Sequence, residues 1–232
     1  FEDSGAEITS RDIANEMQRD VTVGLGEMMN FPGILGSNSE THAITGETLK
    51  AGKIVTGHYS IPDTGRGLEA YIASGVRCCH ESTRAEDALE KMRRGMYAMM
   101  REGSAWHDLK VVVKAITEHK VDTRYAVMIS DDTHPFTLLR DGHLDHIVRR
   151  AIQEGVDPIT AVQMVTINCA QCFQMDHELG SIAPGKCADI IFVDNFEKFN
   201  VTRVMIDGDV VAENGKMCVE FAPYTYPDYA MN

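Results

Sequence analysis

Five short apolar runs, at residues 21–25, 54–57, 75–79, 97–100 and 125–129, alternate with helix-like stretches at 47–51, 67–73, 85–94, 109–118 and 143–153. Repeated strand–helix units imply a parallel sheet with helices outside it, either doubly wound or closed into a barrel. The runs lack strict polar alternation, as strands covered on both faces do. One more helix is expected after these units. Asp157 and Pro158 form a good start signal, an Asp N-cap followed by Pro at the first helical position, and helical spacing continues through 159–173. From Gly180 the texture changes to β-branched runs separated by Pro-Gly and Asp-Gly, which reads as short strands and a hairpin. A small β-subdomain is therefore expected beyond a boundary near 178–182. The tail, 221–232, is rich in Tyr and Pro and has no clear pattern.

Several function classes are disfavoured by charge and composition. Lys and Arg number 22 against 35 Asp and Glu, a net charge of 22 − 35 = −13. An acidic surface repels phosphate backbones, so no nucleic-acid partner is expected. No apolar run reaches the ~18 residues of a membrane span, so no membrane partner is expected either. The six cysteines, Cys78, Cys79, Cys169, Cys172, Cys187 and Cys218, include a single C-x-x-C on the apolar face of the 159–173 helix. Without a second pair it reads as packing, and the set suits a reducing, cytoplasmic setting.

The informative residues lie at the ends of the apolar runs. Glu27 follows Val-Gly-Leu-Gly, His58 follows Ile-Val-Thr-Gly, His80 follows Val-Arg-Cys-Cys, and Asp131 follows Val-Met-Ile-Ser. In a (β/α)₈ barrel the C-terminal strand ends converge on one face, where active sites are built. The fourth unit, 95–118, supplies no obvious ligand. Taken singly, each acid reads as a helix cap or turn residue, and each His as a hydrogen-bonded loop residue. Taken in phase with the strand repeat, the four read as a shared metal site, and the pattern alone leaves both readings open. Two imidazoles and two carboxylates suit a divalent transition metal, and a carboxylate can bridge two ions. Water bound to such an ion loses proton affinity, from a pKa of ~15.7 toward ~7.

The stretches 24–33 (Gly-Leu-Gly-Glu-Met-Met-Asn-Phe-Pro-Gly), Gly57-His58, 70–75 with His80-Glu81-Ser82, Gly95-Met96 with 100–105 (Met-Arg-Glu-Gly-Ser-Ala), Ser130-Asp131-Asp132 and 141–145 together resemble the bacterial adenine deaminase family of metal-dependent amidohydrolases. The likeness runs from residue 1 to about 220. The segment 180–189 is similar to the broader amidohydrolase signature, where the chain leaves the barrel for a β-sandwich. The resemblance implies an α/β fold: the C-terminal part of a (β/α)₈ barrel, strands four to eight, over 1–178, sandwich strands over 179–220, and a tail over 221–232. It also implies roles. Glu27 would be the carboxylate bridging two metals, His58 and His80 the second metal's ligands, and Asp131 a ligand that also shuttles the proton, with Asp132 a further candidate. The metals would be manganese or iron, with zinc as another option, the substrate adenine, the products hypoxanthine and ammonia, and the assembly a homo-oligomer.

Arg101, Glu102 and Ser104 match the family's strand-seven motif; they would either line the substrate pocket or buttress the barrel mouth through hydrogen bonds. His134 would either reach the substrate or be a solvated loop residue. His143 and His146 read as structural. The departure from the family is the missing His-x-His of the first strand. With the start at Phe1, this gives the expectation of a fragment lacking the N-terminal half and a C-terminal extension, inactive alone. The alternatives are hydrolysis of a cyclic amide or another aminated heterocycle, and a non-catalytic fragment.

Overall fold

Helix starts follow local chemistry. In the computed structural model, which describes residues 5–220 and 222–231, α1 (Ser10–Glu16) opens with a capping box in which Thr9 and Asp12 satisfy each other's backbone N–H. Phe1–Ser4, Phe221 and Asn232, the last two belonging to the expected tail, lie outside the described residues. Asn30 and Asn38 cap α2 (Phe31–Leu35) and α3 (Ser39–Lys50) by accepting the N–H groups of Gly33 and Thr41. The capped start of α3 lies eight residues before the segment expected from apolar spacing. Its inner face is built from Thr41, Thr45 and Thr48, which are buried. The Thr45 and Thr48 hydroxyls donate to the carbonyls of Thr41 and Ile44. Threonines satisfied inside their own helix can face the core, and they leave no hydrophobic period to read.

The first unit, Phe1–Ser181, carries a five-stranded parallel sheet in sequential order: β1 (Gly24–Met28), β2 (Ile54–Gly57), β3 (Val76–Cys79), β4 (Tyr97–Arg101) and β5 (Ala126–Ile129). Four strands fall where the apolar runs lie. The first does not: Val21 is exposed, Thr22 closes a turn on Arg19, and β1 starts at Gly24. Glu27 therefore lies inside β1, not past its end. A Gly-Leu-Gly-Glu strand has too few apolar side chains to announce itself. Gly24 is required there, since a Cβ would meet the Ile54 carbonyl oxygen at 2.5 Å.

Helices α4 (Arg66–Ala73) and α5 (Ala85–Arg93) link the next strands. The helix expected over 109–118 is two single turns, α6 (Leu109–Val112) and α7 (Lys114–Thr117), joined through Val113. After β5 come α8 (Pro135–Arg140), α9 (Leu144–Gln153), α10 (Pro158–Val165) and α11 (Ile167–Cys172). Asp157 caps α10 by accepting the Thr160 N–H. The expected single helix over 159–173 is broken at Thr166, whose φ of −123° and ψ of −95° leave the helical region. Two buried clusters of the described residues flank the sheet's strands within a wider core. One joins Val55, Tyr59, Leu68, Tyr71, Val76 and Met96; the other joins Cys78, Tyr97, Met99, Val127 and Cys172. All six cysteines are free. A hydrogen bond with Cys78, then burial, pushes the Cys172 thiol up, and burial raises Cys169, so this C-x-x-C is packing rather than chemistry.

The second unit, Ile182–Asn232, carries a four-stranded antiparallel sheet in the order β6 (Ile190–Val193), β7 (Val201–Ile206), β8 (Asp209–Glu213) and β9 (Lys216–Met217). Asp207 and Gly208, both at positive φ, form the β7–β8 turn.

Candidate metal centre

Parallel register aligns the strand ends. Met28 pairs with Gly57, and Gly57 with Cys79. This brings Glu27, near the end of β1, beside His58 and His80, each one residue past its strand. His80 Nε2 lies 3.0 Å from Glu27 Oε2 and 3.1 Å from His58 Nδ1; His58 Nδ1 is 3.4 Å from the same carboxylate oxygen. Burial, the largest influence, pushes His80 below its ordinary value despite the nearby carboxylates. A neutral imidazole with a free lone pair is what a metal ligand must be.

Tyr71 fixes this edge. Its hydroxyl, fully buried in α4, donates to the Met28 carbonyl (2.6 Å) and accepts the His58 N–H (3.0 Å). Gly57 makes room for it, because a Cβ there would sit 2.6 Å from the Tyr71 hydroxyl and 2.9 Å from the Cys78 carbonyl oxygen.

Arg101 organises the other side. The last residue of β4, it is 2% exposed. Its guanidinium donates to both Glu81 oxygens (Nη2 to Oε2, 3.2 Å), to Asp131 Oδ2 (2.9 Å) and to Asp108 Oδ2 (2.8 Å), and the Trp106 ring covers it at 4.5 Å. Burial opposes its charge, but these bonds outweigh burial and raise its pKa. Asp131, two residues past β5, has a φ of 57°, an uncommon backbone state for a residue with a Cβ. Burial alone would raise its pKa; the bonds from Arg101 and the Asp132 N–H hold it below the usual carboxylate range. Gly103 lets the loop after β4 lie against this segment, where a Cβ would meet the Ser130 and Asp132 carbonyl oxygens at 2.3 and 2.6 Å.

Glu81 joins the halves. Its Oε1 is 3.7 Å from His58 Nδ1 and 3.8 Å from His80 Nε2. Two triplets of donor atoms, Glu27–His58–His80 and His80–Glu81–Asp131, each lie within 4.8 Å of one another. This mixture of ring nitrogens and carboxylate oxygens fits a divalent transition metal.

Glu81 carries no expected role in the sequence, although it lies in the His80-Glu81-Ser82 motif. The fourth strand unit, which offered no ligand, supplies the cation instead. All three guanidinium nitrogens of Arg101 bond carboxylates, which fits buttressing better than contact with a substrate. Glu102, the first residue after β4, points away: its Oε1 meets His107 (3.3 Å) and lies near Arg150 of α9 (4.0 Å), while its buried Oε2 has no hydrogen-bond partner among the described residues. Ser104 and His134 meet each other, the Ser104 hydroxyl accepting the His134 N–H (2.7 Å) and bonding Thr137 (2.9 Å). The Ser104 hydroxyl and the His134 backbone thus brace the loop. His143 stands at the N-cap position of α9, but its ring turns to Ser130 Oγ (2.9 Å) instead of the helix N–H groups.

Fold and site together define an α/β protein with a candidate metal centre at the C-terminal ends of its parallel strands. The chain belongs to the amidohydrolase family, whose profile matches residues 1–211. Among curated relatives it is 68% identical, over its whole length, to an adenine deaminase of Clostridium botulinum (strain ATCC 19397 / Type A), and 53% identical over 98% of its length to one of Moorella thermoacetica. It spans 39% and 38% of those proteins. Among solved structures it is similar to a β-aspartyl dipeptidase of Fervidobacterium islandicum AW-1, with a TM-score of 0.69 and 20% identity over 91% of this chain and 61% of that one. An N-acetylglucosamine-6-phosphate deacetylase of Pasteurella multocida gives a TM-score of 0.57 at 19% identity, over 76% and 55% of the chains. At such identities the likeness is one of fold. No helix among the described residues is long and apolar enough to cross a membrane.

Proposed function

We propose that this stretch is part of an adenine deaminase that converts adenine and water to hypoxanthine and ammonia. The observation that carries the reading is the meeting of Glu27, His58 and His80 at successive strand ends, within hydrogen-bond distance. The identity to curated adenine deaminases along the whole chain supports the choice of substrate. We assign the first unit to strands four to eight of a (β/α)₈ barrel and the β6–β9 sheet to a sandwich, matching the sequential parallel order and the texture change. The free cysteines favour a cytoplasmic setting.

Glu27, His58, His80 and Asp131 would hold divalent ions, manganese or iron before zinc. Such ions supply the Lewis acidity that makes water a nucleophile near neutral pH. Further ligands for two ions are assigned to the rest of the polypeptide. Asp131 accepts a proton from the attacking water at its carboxylate and delivers it to the departing amine. The Arg101 bond keeps Asp131 Oδ2 in one place through both transfers.

Ammonia release from adenine by the manganese-loaded full-length protein tests this. Turnover that falls at least about 10²-fold in both Glu27→Gln and Asp131→Asn is expected. A loaded wild type that releases no ammonia from adenine refutes the substrate.

A further inference from the structure

Glu81 is shared by two features that are otherwise separate. Its carboxylate borders both histidines of the ligand cluster. The same residue lines a cavity of about 340 Å³ with Ser60, Ile61, Pro62, Thr83 and Arg84. That size is at the lower end of small-molecule sites.

The cavity is built before any ligand arrives. Arg84 ties the Pro62 carbonyl (3.1 Å) to Asp87 of α5, and Tyr59 holds Asp63 (2.9 Å) within the loop, so the 59–65 loop is fastened at its middle and braced internally. Glu81 is held as firmly. Arg101 engages both of its oxygens, and the buried Lys91 ammonium bonds its carbonyl oxygen and Ser82 Oγ (3.0 Å for the latter). A carboxylate has about four acceptor sites, so one fork-shaped partner leaves lone pairs for another donor.

We propose that Glu81 selects and orients the substrate by accepting a hydrogen bond from a ring N–H of a nitrogen heterocycle seated in this cavity. Arg101 is then a positioning residue for Glu81 as well as for Asp131, not a substrate ligand. The proposal rests on the deaminase reading and adds which residue reads the ring. It implies preference for the free base over bases alkylated on the imidazole ring, because a site made to bond an N–H strongly rejects the analogue lacking it.

The test uses the full-length manganese-loaded protein as wild type, Glu81→Gln and Arg101→Lys. The readouts are metal content, calorimetric binding of hypoxanthine, and kcat and KM for adenine and 9-methyladenine. Glu81→Gln keeps the side chain's shape but removes the charge and turns an amide N–H₂ toward Arg101. Expected are unchanged metal content, hypoxanthine binding weakened at least about tenfold, and a preference for adenine over 9-methyladenine that shrinks at least about tenfold. Arg101→Lys should shift the preference in the same direction by less, with most of its loss in kcat. Loss of metal in Glu81→Gln would make Glu81 a ligand and overturn the proposal, as would an undiminished preference. A wild type that binds hypoxanthine through Glu81 but does not deaminate adenine would overturn the deaminase reading and keep this one. Failure to bind hypoxanthine at all would overturn both.

Discussion

Arg101 and Arg203 each pair with at least one carboxylate and each lie against an aromatic ring, yet their surroundings are opposite. Arg101, in the parallel sheet, is 2% exposed and serves Glu81, Asp108 and Asp131. Arg203, in the antiparallel sheet, pairs with Glu213 directly across from it, with both side chains more than two-fifths exposed, and lies 5.7 Å from the Phe192 ring. Water screens the second pair and leaves it worth little. The first is screened far less: three partly buried carboxylates converge on one buried, fixed cation. The parallel sheet concentrates charge at its strand ends because all five strands end on one side, whereas neighbouring antiparallel strands end on opposite sides.

The largest expected effect that would break this contrast comes from Arg101→Met. It strands three carboxylates and should cost about 3–5 kcal/mol of stability, read by denaturant unfolding of the full-length protein. A loss below about 1 kcal/mol would mean the carboxylates escape to water and the two arginines are alike. Next is Tyr71→Phe, which leaves the Met28 carbonyl and the His58 N–H without their partner. A loss of about 1–3 kcal/mol is expected, with weaker metal binding because His58 is no longer fixed. An unchanged metal affinity would show that the strand ends alone place the histidine.

A smaller effect follows from pH. The Asp145 carboxyl is raised by burial but held down more strongly by the His143 N–H and Arg149, giving a net value below the usual range. A depressed folded value adds stability above the unfolded carboxylate pKa, near 3.9, and that stability is lost as pH falls through the folded value. The melting temperature of the metal-free protein should hold down to about pH 5 and drop below about pH 4, and Asp145→Asn should soften the drop. Smallest is Arg203→Ala, expected to cost less than about 1 kcal/mol and to fade with added salt.

Much of this was legible in the chain. Apolar runs located four parallel strands, and the polar residue after each run located His58, His80 and Asp131. What was not legible had physical reasons. Three of the five residues of β1 are glycine or acid, so the apolar run begins too early and Glu27 lies inside the strand. The threonine face of α3 is satisfied within its own backbone and shows no hydrophobic period. Arg101 sits at the end of a strand buried along its whole length, where a cation looks like a surface residue until three distant carboxylates are seen to close on it. Glu81 was visible beside His80, but its link to Arg101 spans twenty residues and exists only in the fold. The family's strand-seven motif groups Glu102 with Arg101, although in the fold Arg101 turns to Glu81, Asp108 and Asp131 and Glu102 to His107.

Metal content of the chelator-treated and manganese-reloaded full-length protein, compared with Glu27→Gln and His80→Asn, bears most directly on the candidate centre. The predicted result is about two ions per subunit in the wild type, as in two-metal hydrolytic sites, with at least one lost in each variant. Equal metal content in all three proteins would contradict a centre built on Glu27, His58 and His80.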